Sequence, residues 1–145
     1  MPDYMHPFEC KRGTITIENS IEQLPLLSEF VRNMCGPLGV AQETIDDLDV
    51  AMDEIGSNIA MYAFPEGGTH TYTVSFHREP GELVFTFEDD GIPFDPTAMS
   101  MPDPDLPPED RPLGGLGLTL VKEMMDKVEY ERIGNKNVLS IAKKY

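Results

Sequence analysis

The sequence predicts an α+β fold in which a mixed, mostly antiparallel sheet carries about three helices on one face. Some segments have apolar residues at alternate positions, which is typical of strands. Others have apolar residues every three or four positions, as in amphipathic helices. Along the chain these segments follow the order β-α-α-β-β-loop-α-β-β, and no internal repeat interrupts it.

The first half of the chain predicts one strand and two helices. Residues 11–17 (KRGTITI) alternate as a strand does. Asn19 or Ser20 can cap the helix that follows, and Gly36-Pro37 ends it. The strongest helical pattern runs from about Gln42 to about Ala63. Its apolar stripe consists of Ile45, Leu48, Met52, Ile55, Ile59 and Tyr62.

The second half predicts a hairpin, a long loop and three closing elements. Residues 71–78 and 82–88 alternate on either side of Pro80-Gly81, as the strands of a hairpin do. Segment 89–113 holds seven of the chain's 13 prolines, a density that excludes a helix or a central strand. A loop of this length in a compact domain is usually a lid or a binding loop. The closing elements are a helix at 114–126 and strands at 128–132 and 138–143.

Composition and charge exclude several functions. The 145 residues carry 11 Lys and Arg against 26 Asp and Glu, a formal net charge of −15. Binding to nucleic acid or to an anionic membrane needs a basic surface, which this composition does not supply. No apolar run approaches the ~20 residues of a membrane helix, and Cys10 and Cys35 form no zinc or disulfide pattern. We therefore expect one soluble domain, residues 1–145, in the cytoplasm.

The acidic residues are unevenly distributed. Arg78 is the only Lys or Arg between residues 33 and 110. Residues 88–110 alone contain eight Asp and Glu. Two interpretations remain open: a solvated acidic surface, or a segment in which some carboxylates handle a metal ion.

Three motifs contain residues suited to chemistry, although each also fits a simpler structural role. Glu54 and Asn58 are neighbours on one helix face, where a carboxylate and an amide can activate a hydroxyl beside a metal-bound phosphate. Asp89-Asp90-Gly91 ends a strand, and a carboxylate there can accept a hydrogen bond from the amine of a base. Residues 114–119 (GGLGLT) open a helix whose N–H groups can meet phosphates. The simpler roles are a solvated helix face, an Asp-Gly turn and a glycine hinge.

In this order and spacing the motifs resemble the GHKL ATPase superfamily. Three stretches are similar to its anti-sigma-factor serine/threonine protein kinase branch, and the resemblance covers roughly residues 12–144. It implies the Bergerat ATP-binding fold, a two-layer sandwich, with residues 95–113 as the ATP lid and 1–10 as an N-terminal tail. The stretches are VAMDEIGSNIAMYAF (50–64), GGLGLTLVKEMMDKVEYER (114–132) and GNKNVLSIAKK (134–144), while EDDGIPFDP (88–96) is the strand-end motif of the superfamily resemblance.

The resemblance also implies roles for individual residues. Glu54 would be the general base that accepts the proton of the substrate hydroxyl, and Asn58 would coordinate the Mg²⁺ that bridges the ATP phosphates. Asp90 would bind the adenine amino group, and Gly91 would give the base room. Residues at the glycine-rich helix start would face the phosphates: Gly114, Gly115, Gly117, Leu118 and Thr119. Met61, Ile92 and Phe94 would wall the adenine pocket, with ordinary core packing as the alternative.

Members of this branch phosphorylate a serine of an anti-anti-sigma (STAS) protein and, in alternation, bind a sigma factor, often as dimers. The resemblance therefore implies ATP, Mg²⁺, these two protein partners and a homodimer. The rival hypothesis is a non-catalytic ATP-binding module whose nucleotide-ordered lid gates a protein interaction. Two observations favour the rival: Pro112 and Leu113 stand where some relatives carry Arg, and the lid is acidic. The acidic lid also predicts a tight dependence on Mg²⁺, because its carboxylates repel a bare triphosphate.

Overall fold

The computed structural model describes residues 12–98 and 115–145, which form an open five-stranded sheet with three α-helices. The predicted α+β class is confirmed. The strand order is β1-β2-β3-β5-β4, and each of the four pairings is antiparallel, so this sheet is not mixed. The strands are β1 (Arg12–Glu18), β2 (Thr71–Glu79), β3 (Glu82–Asp89), β4 (Lys127–Ile133) and β5 (Lys136–Lys144). The helices are α1 (Pro25–Cys35), α2 (Gln42–Asn58) and α3 (Gly115–Met124).

The ends of the first two helices differ in detail from their predicted form. Ser20 caps a short 3-10 turn, its hydroxyl accepting a hydrogen bond from the N–H of Glu22 at 3.3 Å, and α1 begins only at Pro25. Proline suits this first helical position, where its missing N–H would have no partner. The helix α2 continues beyond Asn58 as a π-helical turn, Ile59–Ala63, so helical backbone extends to the predicted Ala63.

The hydrophobic core lies between the helices and one face of the sheet. Alternate residues of the central strands are buried on this face, as the period of two requires. On the other face lie half-buried polar side chains, among them the hydroxyls of Thr86 and Ser140, 3.0 Å apart. The sheet therefore has one covered and one open face. The buried strand residues include Tyr72, Val74, Phe76, Leu83, Phe85, Phe87, Leu139 and Ile141.

A close backbone contact joins the end of α2 to the segment that follows β3. The N–H of Ile92 donates to the carbonyl of Ala63 at 2.9 Å. A Cβ atom on Gly91 would lie 2.3 Å from that same carbonyl oxygen. The room that Gly91 provides is thus occupied by the backbone of Ala63, and only glycine fits there.

Several predicted features fall outside the described residues. These are the tail at 1–10, Gly114 and all but the beginning of the lid predicted at 95–113. Of the lid, a 3-10 turn at Pro96–Ala98 is described, where the Asp95 carboxylate accepts the N–H of Thr97 at 2.8 Å. Across 12–98 and 115–145, every helix is too short or too polar to cross a bilayer.

Candidate nucleotide site

A narrow cavity lies between the end of α2 and the covered face of the sheet. Its walls are largely apolar and come from α2, β3 and β5, including Ile55, Phe87 and Leu139. Four polar side chains converge on it: Asn58, Asp89, Tyr130 and Asn137. An apolar cleft with a few convergent polar groups is the usual form of a small-molecule site.

Asn58 is the polar group of α2 in this cavity. The residue is 2% exposed, and within residues 12–98 and 115–145 neither its amide oxygen nor its amide nitrogen has a hydrogen-bond partner. Burial of an unpaired amide destabilises a folded protein, so buried amides normally have partners. Among the described residues, this amide is therefore a polar group free to bind a ligand in the cavity.

Glu54 lies one helical turn before Asn58, on the same helix, and is half-buried. Its pKa is raised, first by burial and second by the negative charge of Asp53. A carboxyl group with a raised pKa is a stronger base than an ordinary one once it is ionised. This property suits a group that takes a proton from a hydroxyl.

The structure places Asp89, and not Asp90, in the cavity. Asp89 is in phase with the inward residues Phe85 and Phe87 of β3 and is 7% exposed. Asp90 is one residue out of phase, is exposed and borders two open surface grooves. A sequence signal for Asp89 existed, since the alternation of β3 continues through Asp89 and points Asp90 away.

Asn137 is the centre of a hydrogen-bond network that sequence reasoning missed. Its Nδ2 donates to Asp89 Oδ1 at 2.9 Å and to the carbonyl of Ile92 at 2.8 Å. Its Oδ1 accepts from the hydroxyl of Tyr130 at 2.5 Å and from Arg132 Nη1 at 3.2 Å. The register that pairs Asp89 with Asn137 brings them together, although they are 48 residues apart in sequence.

The remaining predicted wall residues divide into one inside and two outside the cavity. Phe94 lines it and stacks on Tyr62, with ring centroids 5.5 Å apart. Met61 is half-buried in the π-helical turn and is not a lining residue. Ile92 is 47% exposed and contacts the site only through its backbone, since its carbonyl accepts from Asn137.

The glycine-rich motif opens α3, as predicted, with Gly115, Gly117, Leu118 and Thr119 all within the helix. Thr119 is half-buried. Contacts between α2 and α3 place the two helices side by side. The Lys143 ammonium donates to the carbonyl of Met124 at 2.6 Å and so binds the C-terminal end of α3.

The described residues fit a divalent cation only in combination with a ligand. Within 12–98 and 115–145 no group of three or more His, Cys, Asp or Glu could hold a metal ion. Mg²⁺ is commonly bound by one or two protein oxygens together with substrate phosphates. The unpaired amide oxygen of Asn58 is an oxygen of this kind.

Comparison with known proteins gives the family to which this fold belongs. The family of histidine kinase-like ATPase domains matches residues 17–143, and the chain belongs to it. The resemblance seen in the sequence motifs is confirmed.

Individual relatives are named serine-protein kinases. The chain is 33% identical over 125 residues to the serine-protein kinase RsbW of Halalkalibacterium halodurans, covering 79% of this chain and 74% of that protein. It is 30% identical over 118 residues to the serine-protein kinase RsbW of Listeria innocua, covering 74% of this chain and 75% of that protein.

A solved structure shares the fold. It contains the RsbU and RsbW domains of Rv1364c from Mycobacterium tuberculosis and matches with a TM-score of 0.63 at 14% identity. The match covers 92% of this chain but only 32% of that longer one.

Proposed function

We propose that this protein is a cytoplasmic, Mg²⁺-ATP-dependent serine/threonine protein kinase and anti-sigma-type regulator. The observation that carries the proposal is the buried amide of Asn58, which has no hydrogen-bond partner among the described residues. This amide lies one helical turn after Glu54 and lines the same cavity as the Asp89 carboxylate. Two relatives named serine-protein kinase, similar over about three quarters of the chain, support it.

Each residue has a stated role in this proposal. Glu54 accepts the proton of the substrate hydroxyl, and Asn58 holds Mg²⁺ through its amide oxygen. When bound, Mg²⁺ neutralises charge on the ATP phosphates. Asp89 takes the role in adenine binding that the motif alone assigned to Asp90, because only Asp89 reaches the cavity. Residues 95–113 close over ATP, and Gly114, Gly115, Gly117, Leu118 and Thr119 face its phosphates.

The proposed substrate is a serine of an anti-anti-sigma (STAS) protein, and the proposed second partner is a sigma factor or a similar regulator. The net charge of −15 favours partners with a basic surface, because complementary charge accelerates association. A homodimer is part of the proposal.

The test measures phosphoserine on a co-encoded STAS protein by mass spectrometry after incubation with Mg-ATP. We expect Glu54→Gln to reduce the transfer rate about 100-fold or more, since general bases contribute at least this much, while ATP binding is retained. Glu43→Gln, an exposed change on the same helix, serves as the matched control.

Two results would contradict the proposed kinase activity. One is transfer at the wild-type rate by Glu54→Gln. The other is a wild-type protein that binds Mg-ATP and modifies no STAS protein, which would favour the non-catalytic module that the acidic lid and the absent Arg suggest.

A further inference from the structure

We propose that Asn137 and Arg132 are positioning residues that fix the Asp89 carboxylate and thereby set the preference of the cavity for a base with an exocyclic amino group. Neither residue contacts the base in this proposal. The inference rests on the proposed function only in that the cavity binds ATP, and it does not depend on phosphoryl transfer.

The hydrogen-bonding capacity of Asn137 is fully used inside the protein. Both of its N–H donors are occupied, one by Asp89 Oδ1 and one by the carbonyl of Ile92. Its amide oxygen accepts from three donors, the Tyr130 hydroxyl, Arg132 Nη1 and the N–H of Phe94 at 3.3 Å. An amide side chain has two donors and one oxygen acceptor, so Asn137 has none left for a ligand.

The two oxygens of Asp89 are consequently unequal. Oδ1 accepts from the N–H of Gly91 at 2.9 Å and from Asn137 Nδ2 at 2.9 Å. Among the described residues, the hydrogen bonds to this carboxylate all end on Oδ1. Oδ2 is therefore the oxygen available to a ligand, and it can only accept a hydrogen bond.

Arg132 connects this arrangement to β4. Its Nη1 donates to the carbonyl of Gly91 at 2.8 Å and to Asn137 Oδ1 at 3.2 Å. One guanidinium nitrogen thus holds both the backbone beside Asp89 and the amide that orients Asp89.

A fixed acceptor of this kind discriminates between bases. An amino group on the base can donate to Oδ2, whereas a base without that group leaves a buried carboxylate oxygen unpaired. The preference depends on the orientation of Asp89, which Asn137 and Arg132 set. Disturbing either residue should therefore reduce the preference for the amino group more than it reduces binding of the rest of the nucleotide.

The test compares the affinities of ATP and of purine riboside triphosphate, which lacks only the 6-amino group, by calorimetric titration in excess Mg²⁺. We expect the wild-type protein to bind ATP about 10- to 100-fold more tightly, as expected for one hydrogen bond to a charged group. In Asn137→Asp an oxygen replaces the donor nitrogen and faces Asp89 Oδ1, so we expect the ratio of the two affinities to fall towards one. Arg132→Gln should reduce the ratio less.

Two control variants match these changes. Asn135→Asp makes the same substitution in the exposed turn between β4 and β5, and Arg78→Gln makes the same substitution on β2. Both should keep the wild-type ratio. Thermal melts identify any variant that fails to fold, and in that case the other variant carries the test.

The outcomes separate this inference from the proposed function. A folded Asn137→Asp and a folded Arg132→Gln that keep the wild-type ratio overturn the inference, even if both affinities fall together. A wild-type protein with equal affinity for the two nucleotides also overturns it. A wild-type protein that shows the ratio but transfers no phosphate contradicts the kinase and supports the inference.

Discussion

Glu54 is a half-buried carboxylate on α2 whose ionisation is opposed twice. Burial is the larger cause of its raised pKa, and the neighbouring Asp53 is the smaller. The pKa of Glu54 is higher in the folded protein than in the unfolded chain. The free energy of unfolding therefore falls as the pH rises from about 4.5 through the raised pKa, because ionisation of Glu54 costs more in the folded state.

The acid limb of the pH–rate profile should report this pKa. We expect Asp53→Asn to move that limb to lower pH, because removing the negative charge of Asp53 makes Glu54 easier to ionise. Asp46→Asn removes an exposed carboxylate of the same helix that does not raise the pKa of Glu54, so it should leave the limb in place. If the acid limb of Asp53→Asn stays at the wild-type pH or moves to higher pH, Glu54 is not the base.

At the scale of single residues, the sequence predicted those parts of the site that follow a local period. Glu54 and Asn58 share a helix face, and that spacing is visible in the printed chain. The phase of β3 separates Asp89 from Asp90, but only if the strand is known to run through residue 89. Asn137 could not be found in this way, because its contact with Asp89 depends on the register between β3 and β5.

At the scale of elements, the end of α2 and the segment after β3 form one unit through Ala63. The π-helical turn brings its carbonyl to the N–H of Ile92, and Gly91 packs against it without a side chain. Sequence patterns predicted the length of this helix but not the π-helical turn, because the apolar stripe continues through it unchanged. A π-helical turn inside a helix is frequently associated with a functional site.

A substitution tests the contact at Ala63. In Gly91→Ala the new Cβ would lie 2.3 Å from a backbone oxygen, which cannot move aside as a flexible side chain can. We expect the free energy of unfolding, measured by urea titration, to fall by about 1–3 kcal/mol.

The matched control is Gly36→Ala, where a new Cβ meets nothing within 4 Å. Gly36 has an ordinary helical φ of −54°, so this variant should be neutral or slightly stabilised. Equal stability of the two variants would contradict this prediction, because it would mean that the backbone at Ala63 can move away from the new Cβ atom without a cost in free energy.

At the scale of the whole molecule, the net charge of −15 acts on the fold as well as on partners. Like charges repel each other more in the compact state than in the extended one. Salt screens this repulsion over distances of about 10 Å at 0.1 M ionic strength.

We therefore expect NaCl to stabilise the protein. Raising NaCl from about 20 mM to about 500 mM should increase Tm by about 3 °C if screening contributes about 1 kcal/mol. The increase in Tm should be smaller in a triple variant that has less negative charge. Its substitutions, all at exposed positions, are Glu43→Gln, Glu123→Gln and Glu129→Gln. A Tm that falls with salt in the wild-type chain would show that its ion pairs outweigh its excess negative charge.

The order of the strands has a consequence for synthesis of the chain. The strand β5 is made after the other four, yet it lies between β3 and β4 in the interior of the sheet. It also carries Asn137, which in the described part of the chain is the side chain that donates a hydrogen bond to Asp89. A nascent chain on the ribosome therefore holds β3 with an unpaired edge until residue 144 has emerged. The proposed nucleotide site should mature late in translation, and we expect a truncated product lacking β5 to expose the unpaired backbone edge of β3 and to fail to bind ATP.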